Sequence, residues 1–130
     1  MRLLVPIDGS DCSTRALAFA CEFAERFDAD LDVVHFTDEE TSATEQLDAH
    51  ARDVVDEHGV DASVETLTDR DVSIRTGNRV GDEIIALVEE RGYDHVVMGH
   101  HGSGAVERAI LGSAAEVVLR AESVAVTVVP

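Results

Sequence analysis

The sequence predicts an α/β fold, an open five-stranded parallel sheet with helices on both faces. Three observations predict it. Apolar runs such as Leu3-Leu4-Val5-Pro6-Ile7 are near-continuous rather than alternating, as expected of strands buried on both faces. Between them lie segments whose apolar residues recur at helical spacing, bounded by capping residues and glycines. The two kinds of segment alternate along the chain, the order that a parallel sheet with crossover helices requires. At 130 residues, 45% of them hydrophobic, the chain suits one domain spanning 1–130. A domain of this size buries roughly two-thirds of its unfolded surface and needs no metal or disulfide staple.

Each element has its own signal. Leu3 to Ile7 is the first strand. Ser10 caps a helix whose apolar positions are Leu17, Ala20, Ala24 and Phe27, with Phe23 alongside. Leu31 to Phe36 is the second strand. Ser42 and Glu45 make a capping box ahead of Leu47, Ala51, Val54 and Val55, and Gly59 supplies a left-handed exit. Ala62 to Leu67 and Val72 to Thr76 are both strand-like, separated by Thr68-Asp69-Arg70-Asp71, and fit one bent strand or a hairpin. Val80, Ile84, Leu87 and Val88 place a third helix after Asn78, closed by Gly92. His95 to Met98 is a short buried strand ending in Gly99. A glycine-bearing loop then runs to Gly112, where Ser113 and Glu116 make a second capping box before Val117, Val118 and Ala121. Val124 to Val129 is the last strand.

Charge narrows the function. Twenty-seven acids face ten bases for a net charge of -17, and all ten bases are arginine, scattered from Arg2 to Arg120. A phosphate backbone is bound by clustered Lys and Arg, so nucleic acid is not an expected partner. The apolar run at Met1 to Ile7 falls far short of the ~18 residues of a spanning helix, so neither a membrane nor a secretory leader is expected, and the expected location is the cytoplasm. Strong acidity with small core residues and few aromatics matches a protein solvated at high cytoplasmic salt. The unfolding midpoint is therefore expected to rise as KCl is raised, the Debye length shrinking from ~30 Å at 0.01 M to ~3 Å at 1 M. A midpoint flat over that range contradicts the halophilic reading.

In an open parallel sheet, ligands sit beyond the carboxyl ends of the strands where the strand order reverses. Two segments suit that place. Pro6-Ile7-Asp8-Gly9-Ser10 carries a carboxylate and a hydroxyl from the first strand into a helix, although Asp-Gly-Ser is equally a turn and cap sequence. Gly99-His100-His101-Gly102, nine residues, then Gly112-Ser113 at a helix start is the second. Glycines let backbone amides approach a polyphosphate, and a helix N-terminus adds donors and a positive dipole end. A chain without lysine must meet phosphate charge with amides, an arginine such as Arg108, or a metal ion.

These residues make the chain resemble the universal stress protein family over its whole length. The resemblance rests on Val5-Pro6-Ile7-Asp8-Gly9-Ser10, on Val96-Val97-Met98-Gly99, and on the spacing G-x2-G-x9-G-[ST] at Gly99, Gly102, Gly112 and Ser113, which marks the family's ATP-binding branch. It implies a Rossmann-like sheet of strand order 3-2-1-4-5, so that both segments face one pocket. By that resemblance Pro6 and Asp8 would line the adenosine end, Asp8 accepting from a ribose hydroxyl or the base amine, and Ser10 would be among the nucleotide-binding residues. The backbone near His35 and Phe36 would border the base and Met98 would pack beside it. Gly99 and Gly102 would hold the ribose and first phosphate, and Gly112, Ser113 and Ala114 the outer phosphates of ATP with Mg²⁺. The resemblance also implies a homodimer through the last strand and a regulatory role toward a protein partner. Three departures stand out: the long stretch from Val60 to Gly77, His100-His101 in the variable pair, and Ala125 where proline is usual.

Other chemistries are weaker. Six histidines suggest a metal, but no H-x-x-x-H or C-x-x-C spacing appears and no metal site is expected. His50 and His58 are expected to be solvated. Cys12 and Cys21 lie about 13 Å apart along one helix at ~1.5 Å per residue, too far for a bridge. Cys21 suits the core, and Cys12 suits a packed thiol more than a dipole-activated one. Asp8, His100, His101 and Arg108 do not have a spacing that demands hydrolysis, so a nucleotide binder is expected before an enzyme. A slow nucleotide hydrolase or an AMP-type sensor are the alternatives. A phospho-receiver would need a lysine after its last strand, which this chain lacks.

Overall fold

The computed structural model describes residues 1–68, 79–101 and 111–130. They form β1 (Arg2–Ile7), α1 (Asp11–Phe27), β2 (Asp30–Thr37), α2 (Ser42–His58), β3 (Ala62–Thr68), α3 (Arg79–Arg91), β4 (His95–Gly99), α4 (Ser113–Arg120) and β5 (Ala125–Val129). The five strands are parallel in the order β3-β2-β1-β4-β5, as expected. The strand-like Val72 to Thr76 lies outside the described residues, so of the two expected pieces only Ala62–Thr68 is seen to pair, with β2.

Strand alternation splits the core into two layers. Leu3, Val5, Ile7, Leu31, Val33 and Val97 pack toward Leu17, Ala20 and Ala24 of α1 and toward Val54 and Val55 of α2. Leu4, Val34, Phe36, Val96 and Met98 pack toward Ile84, Leu87 and Val88 of α3 and toward Val118 of α4. Burial on both faces is why these strands read as continuous apolar runs. Three apolar positions expected on helix faces lie at helix ends and stay in solvent: Phe27, 61% exposed, Val80, 41% exposed, and Ala121, the C-cap of α4. Phe27 instead stacks on Phe23, ring centroids 4.5 Å apart.

Two caps differ from expectation. Helix α2 is capped one residue earlier, by Thr41 with Thr44, whose hydroxyl accepts the Thr41 N–H at 3.1 Å. Helix α4 has Gly112 at its N-cap and no side-chain cap. Ser113 is its first residue, and Glu116 pairs with Arg120 at 2.8 Å instead of closing a box. Ser10 does cap α1, accepting the Ser13 N–H at 3.2 Å, and Gly59 does end α2 with φ 66°. His58 is not simply solvated, since its Nδ1 lies 2.8 Å from the Val54 carbonyl.

The amino ends of the strands are stitched by polar groups, well away from the carboxyl ends. Asp32 accepts from Ser63 at 2.6 Å, from the Tyr93 hydroxyl at 2.5 Å and from Arg2 at 3.1 Å. Burial pushes the Asp32 carboxyl up, but these donors outweigh it and hold it below its ordinary value. Burial and the same bond to Asp32 push the Tyr93 hydroxyl up to about 12.

Candidate functional site

The strand order reverses at β1, which has β2 on one side and β4 on the other. At its carboxyl end the chain turns through Gly9, whose φ of 84° suits glycine. The turn is held by Asp8, whose Oδ1 accepts the Ser10 N–H at 2.9 Å and the Ser10 hydroxyl at 2.5 Å. Ser10 is buried and its hydroxyl is engaged by both the α1 cap and Asp8, so it shapes the turn; Asp8 itself is exposed.

The second segment closes on the first. A Cβ at Gly99 would lie 2.6 Å from Cys12 Sγ and 3.0 Å from the Ser13 nitrogen, so glycine there lets β4 abut the first turn of α1. His100 N–H donates to the Val129 carbonyl at 2.9 Å. Gly112 N–H donates to the His100 carbonyl at 2.5 Å, which sets the start of α4 beside the end of β4. Gly112 is buried, Ala114 half-buried and Ser113 exposed. The first turn of a helix offers N–H groups that have no partner within the helix. Gly102 and Arg108 lie outside the described residues.

His35 sits beside Ile7 in register, at the same end of the sheet. Its Nδ1 is buried without a hydrogen-bond partner. Burial lowers the tendency of the ring to charge, against the upward pull of the Asp48 and Asp8 carboxylates. Pro6, Phe36 and Met98 are buried, the last two in the core toward α3 and α4. The structure thus gathers Asp8, Ser10, His35, Gly99 and Gly112 at one end of the sheet.

One grouping is not visible in the sequence. Cys12 of α1 meets His100 and His101, with ligand atoms of all three within 4.8 Å of one another. The contact joins residues 89 apart, so no local spacing announces it. The signal available was the unusual His-His pair between glycines, once the strand order had placed it over the first turn of α1.

Comparison with known proteins places the chain. The model of the universal stress protein family matches residues 1–130. A universal stress protein of Methanocaldococcus jannaschii is 31% identical over 130 aligned positions, covering 92% of this chain and 75% of that relative. Among solved structures, a universal stress protein in complex with cAMP superposes with a TM-score of 0.78 at 23% identity, covering 99% of this chain and 95% of the other. The Archaeoglobus fulgidus universal stress protein in complex with dAMP gives 0.74 at 20% identity, covering 100% and 98%. Given the full-length match and the curated relative, the chain belongs to the universal stress protein family.

Proposed function

We propose that this chain is an ATP-binding regulatory protein of the stress response, whose nucleotide state alters what it offers a protein partner. The observation that carries the reading is the Gly112 to His100 hydrogen bond, which puts the N-terminus of α4 beside the end of β4 and across from the Asp8 turn. That arrangement suits a phosphate chain, since a helix N-terminus offers backbone N–H donors to a chain that has no lysine. The buried His35 Nδ1 calls for a polar partner, and an adenosine at the strand ends would supply one. In this reading Pro6 and Phe36 floor the adenosine end, Met98 lies under it, and Asp8 accepts from the ribose or base amine. Gly99 and, by the family spacing, Gly102 would hold the ribose and first phosphate, with Gly112, Ser113 and Ala114 at the outer phosphates, whose charge Mg²⁺ would help neutralise. The solved relatives with cAMP and dAMP support adenine recognition, and they favour an AMP-type sensor as the second reading.

Mass spectrometry of the small molecule released from the purified, denatured protein tests the proposal. ATP is the expected species, and AMP would select the second reading. Recovery of a non-adenine ligand from the cleft would overturn both.

The same reading places the protein in the cytoplasm of a salt-adapted host as a single 1–130 domain. Among the described residues no helix is long and apolar enough to cross a membrane. We also infer a homodimer through β5, the outer strand of the sheet beyond β4. An apolar edge strand with no internal charge or proline invites another strand, and Ala125 offers an N–H where proline would not. Val126→Asp is expected to give monomers or insoluble protein, read by light scattering in high salt. A monomer for the unmodified chain under the same conditions contradicts the edge-pairing model.

A further inference from the structure

Cys12 and Cys21 lie on one helix and are both buried, yet their surroundings differ. Cys21 packs in the apolar core, where burial pushes its thiol up to about 11. Cys12 faces the end of β4. Its Sγ lies 3.9 Å from His101 Nδ1 and donates to the His101 carbonyl at 2.9 Å. The His100 and His101 rings meet edge to face with centroids 4.0 Å apart, and the His100 Nδ1 is buried without a hydrogen-bond partner. Glycine at 99 is what permits this approach, because a Cβ there would displace the sulfur. A thiol that served only as packing would need neither imidazole.

The geometry points to a site for a borderline-soft dication of the Zn²⁺ class, held by Cys12, His100 and His101, with a fourth position left to water or an added ligand. Bond lengths of ~2.3 Å to sulfur and ~2.0–2.1 Å to nitrogen put tetrahedral S and N donors roughly 3.6 Å apart, near the Cys12 to His101 separation. Rotation of the imidazoles closes the remaining distance. One thiolate and two imidazoles suit Zn²⁺ or Co²⁺ and not the hard, oxygen-seeking Mg²⁺. On binding, the sulfur–metal bond replaces the S–H bond and the proton leaves to solvent, so affinity rises with pH. The chain's net charge of -17 favours dications over anions at its surface. The site borders the proposed nucleotide site, since His100 and His101 follow Gly99 directly, but none of its three ligand atoms is one that the nucleotide reading uses.

The test is a CoCl₂ titration of the reduced, metal-stripped full chain, without nucleotide. One Co²⁺ per chain is expected, with a thiolate-to-cobalt charge-transfer band and the visible bands of tetrahedral Co²⁺. ZnCl₂ should erase both and excess MgCl₂ neither, which separates this site from weak binding by the acidic surface. Cys12→Ser should remove the charge-transfer band. His101→Gln and His100→Gln should each weaken binding by more than ~100-fold, beyond the ~10–100-fold that an outer-shell partner costs. His50→Gln, exposed on α2, should change nothing. Because Cys12 is fully buried, the histidine variants carry the test if Cys12→Ser does not fold. A folded wild-type chain without a charge-transfer band overturns the proposal, as does a band that survives the histidine substitutions unchanged. Nucleotide retention is measured separately, so either result leaves the other reading standing.

Discussion

Gly112→Val is expected to reduce ATP affinity by about 100-fold or more, equivalent to ~2.7 kcal/mol. The backbone at Gly112 has φ -70° and ψ 159°, values open to any residue, so valine brings no backbone strain. The effect comes from volume. Gly112 is buried at the N-cap of α4 and bonded to the His100 carbonyl, and an isopropyl group at that point competes with a phosphate for the helix N-terminus. Ser113→Ala is the milder companion. It removes one hydroxyl but no helix cap, because no side chain caps α4, so affinity should fall by less than in Gly112→Val. Calorimetric titration with ATP, alongside circular dichroism to check folding, reads both variants. Equal affinity in wild type and Gly112→Val would move the phosphates elsewhere.

Gly99→Ala is expected to destabilise the fold by ~1–3 kcal/mol, the usual cost of overpacking a close contact. At this chain length that lowers the unfolding midpoint by roughly 4–11 °C. The added methyl would meet Cys12 Sγ at 2.6 Å and the α1 backbone at 3.0–3.1 Å. The sulfur can be removed and the backbone cannot. In metal-free buffer, Cys12→Ala should therefore restore part of the stability lost in Gly99→Ala, a coupling that thermal unfolding of the four-member double-mutant cycle measures directly. Strict additivity would show that β4 and α1 do not press on each other at Gly99. The result also bears on motif reading, because the first glycine of the spacing is required by helix–strand packing whether or not a phosphate lies nearby.

Much of this fold was legible because its strands are buried twice. Leu3 to Ile7 and His95 to Met98 could not be half-exposed hairpin strands, and the helical periods between them left a parallel sheet as the remaining solution. The strand order came from family resemblance, since periodicity does not rank strands. Local slips have local causes. Thr41-Ser42-Ala43-Thr44-Glu45 contains two overlapping capping boxes, and only the three-dimensional path of the chain chooses between them. Phe27 and Val80 fit the apolar stripe of their helices but lie at its ends, where packing runs out. Gly81 carried no signal within a helix, yet a Cβ there would lie 2.6 Å from Val117 Cβ, so it sets how closely α3 and α4 cross. At the site, the Asp8 turn and the Gly112 helix start were readable as short motifs. The Cys12, His100 and His101 group was not, because long-range contact has no local period.

The central claim is that the carboxyl ends of β1 and β4 hold an adenine nucleotide, and equilibrium dialysis against millimolar ATP with Mg²⁺ in high salt tests it most directly. The account predicts close to one nucleotide retained per chain, an unfolding midpoint that climbs with ATP concentration as mass action requires, and a much smaller effect from adenosine. Retention of neither ATP nor AMP by the folded protein at that concentration would contradict it.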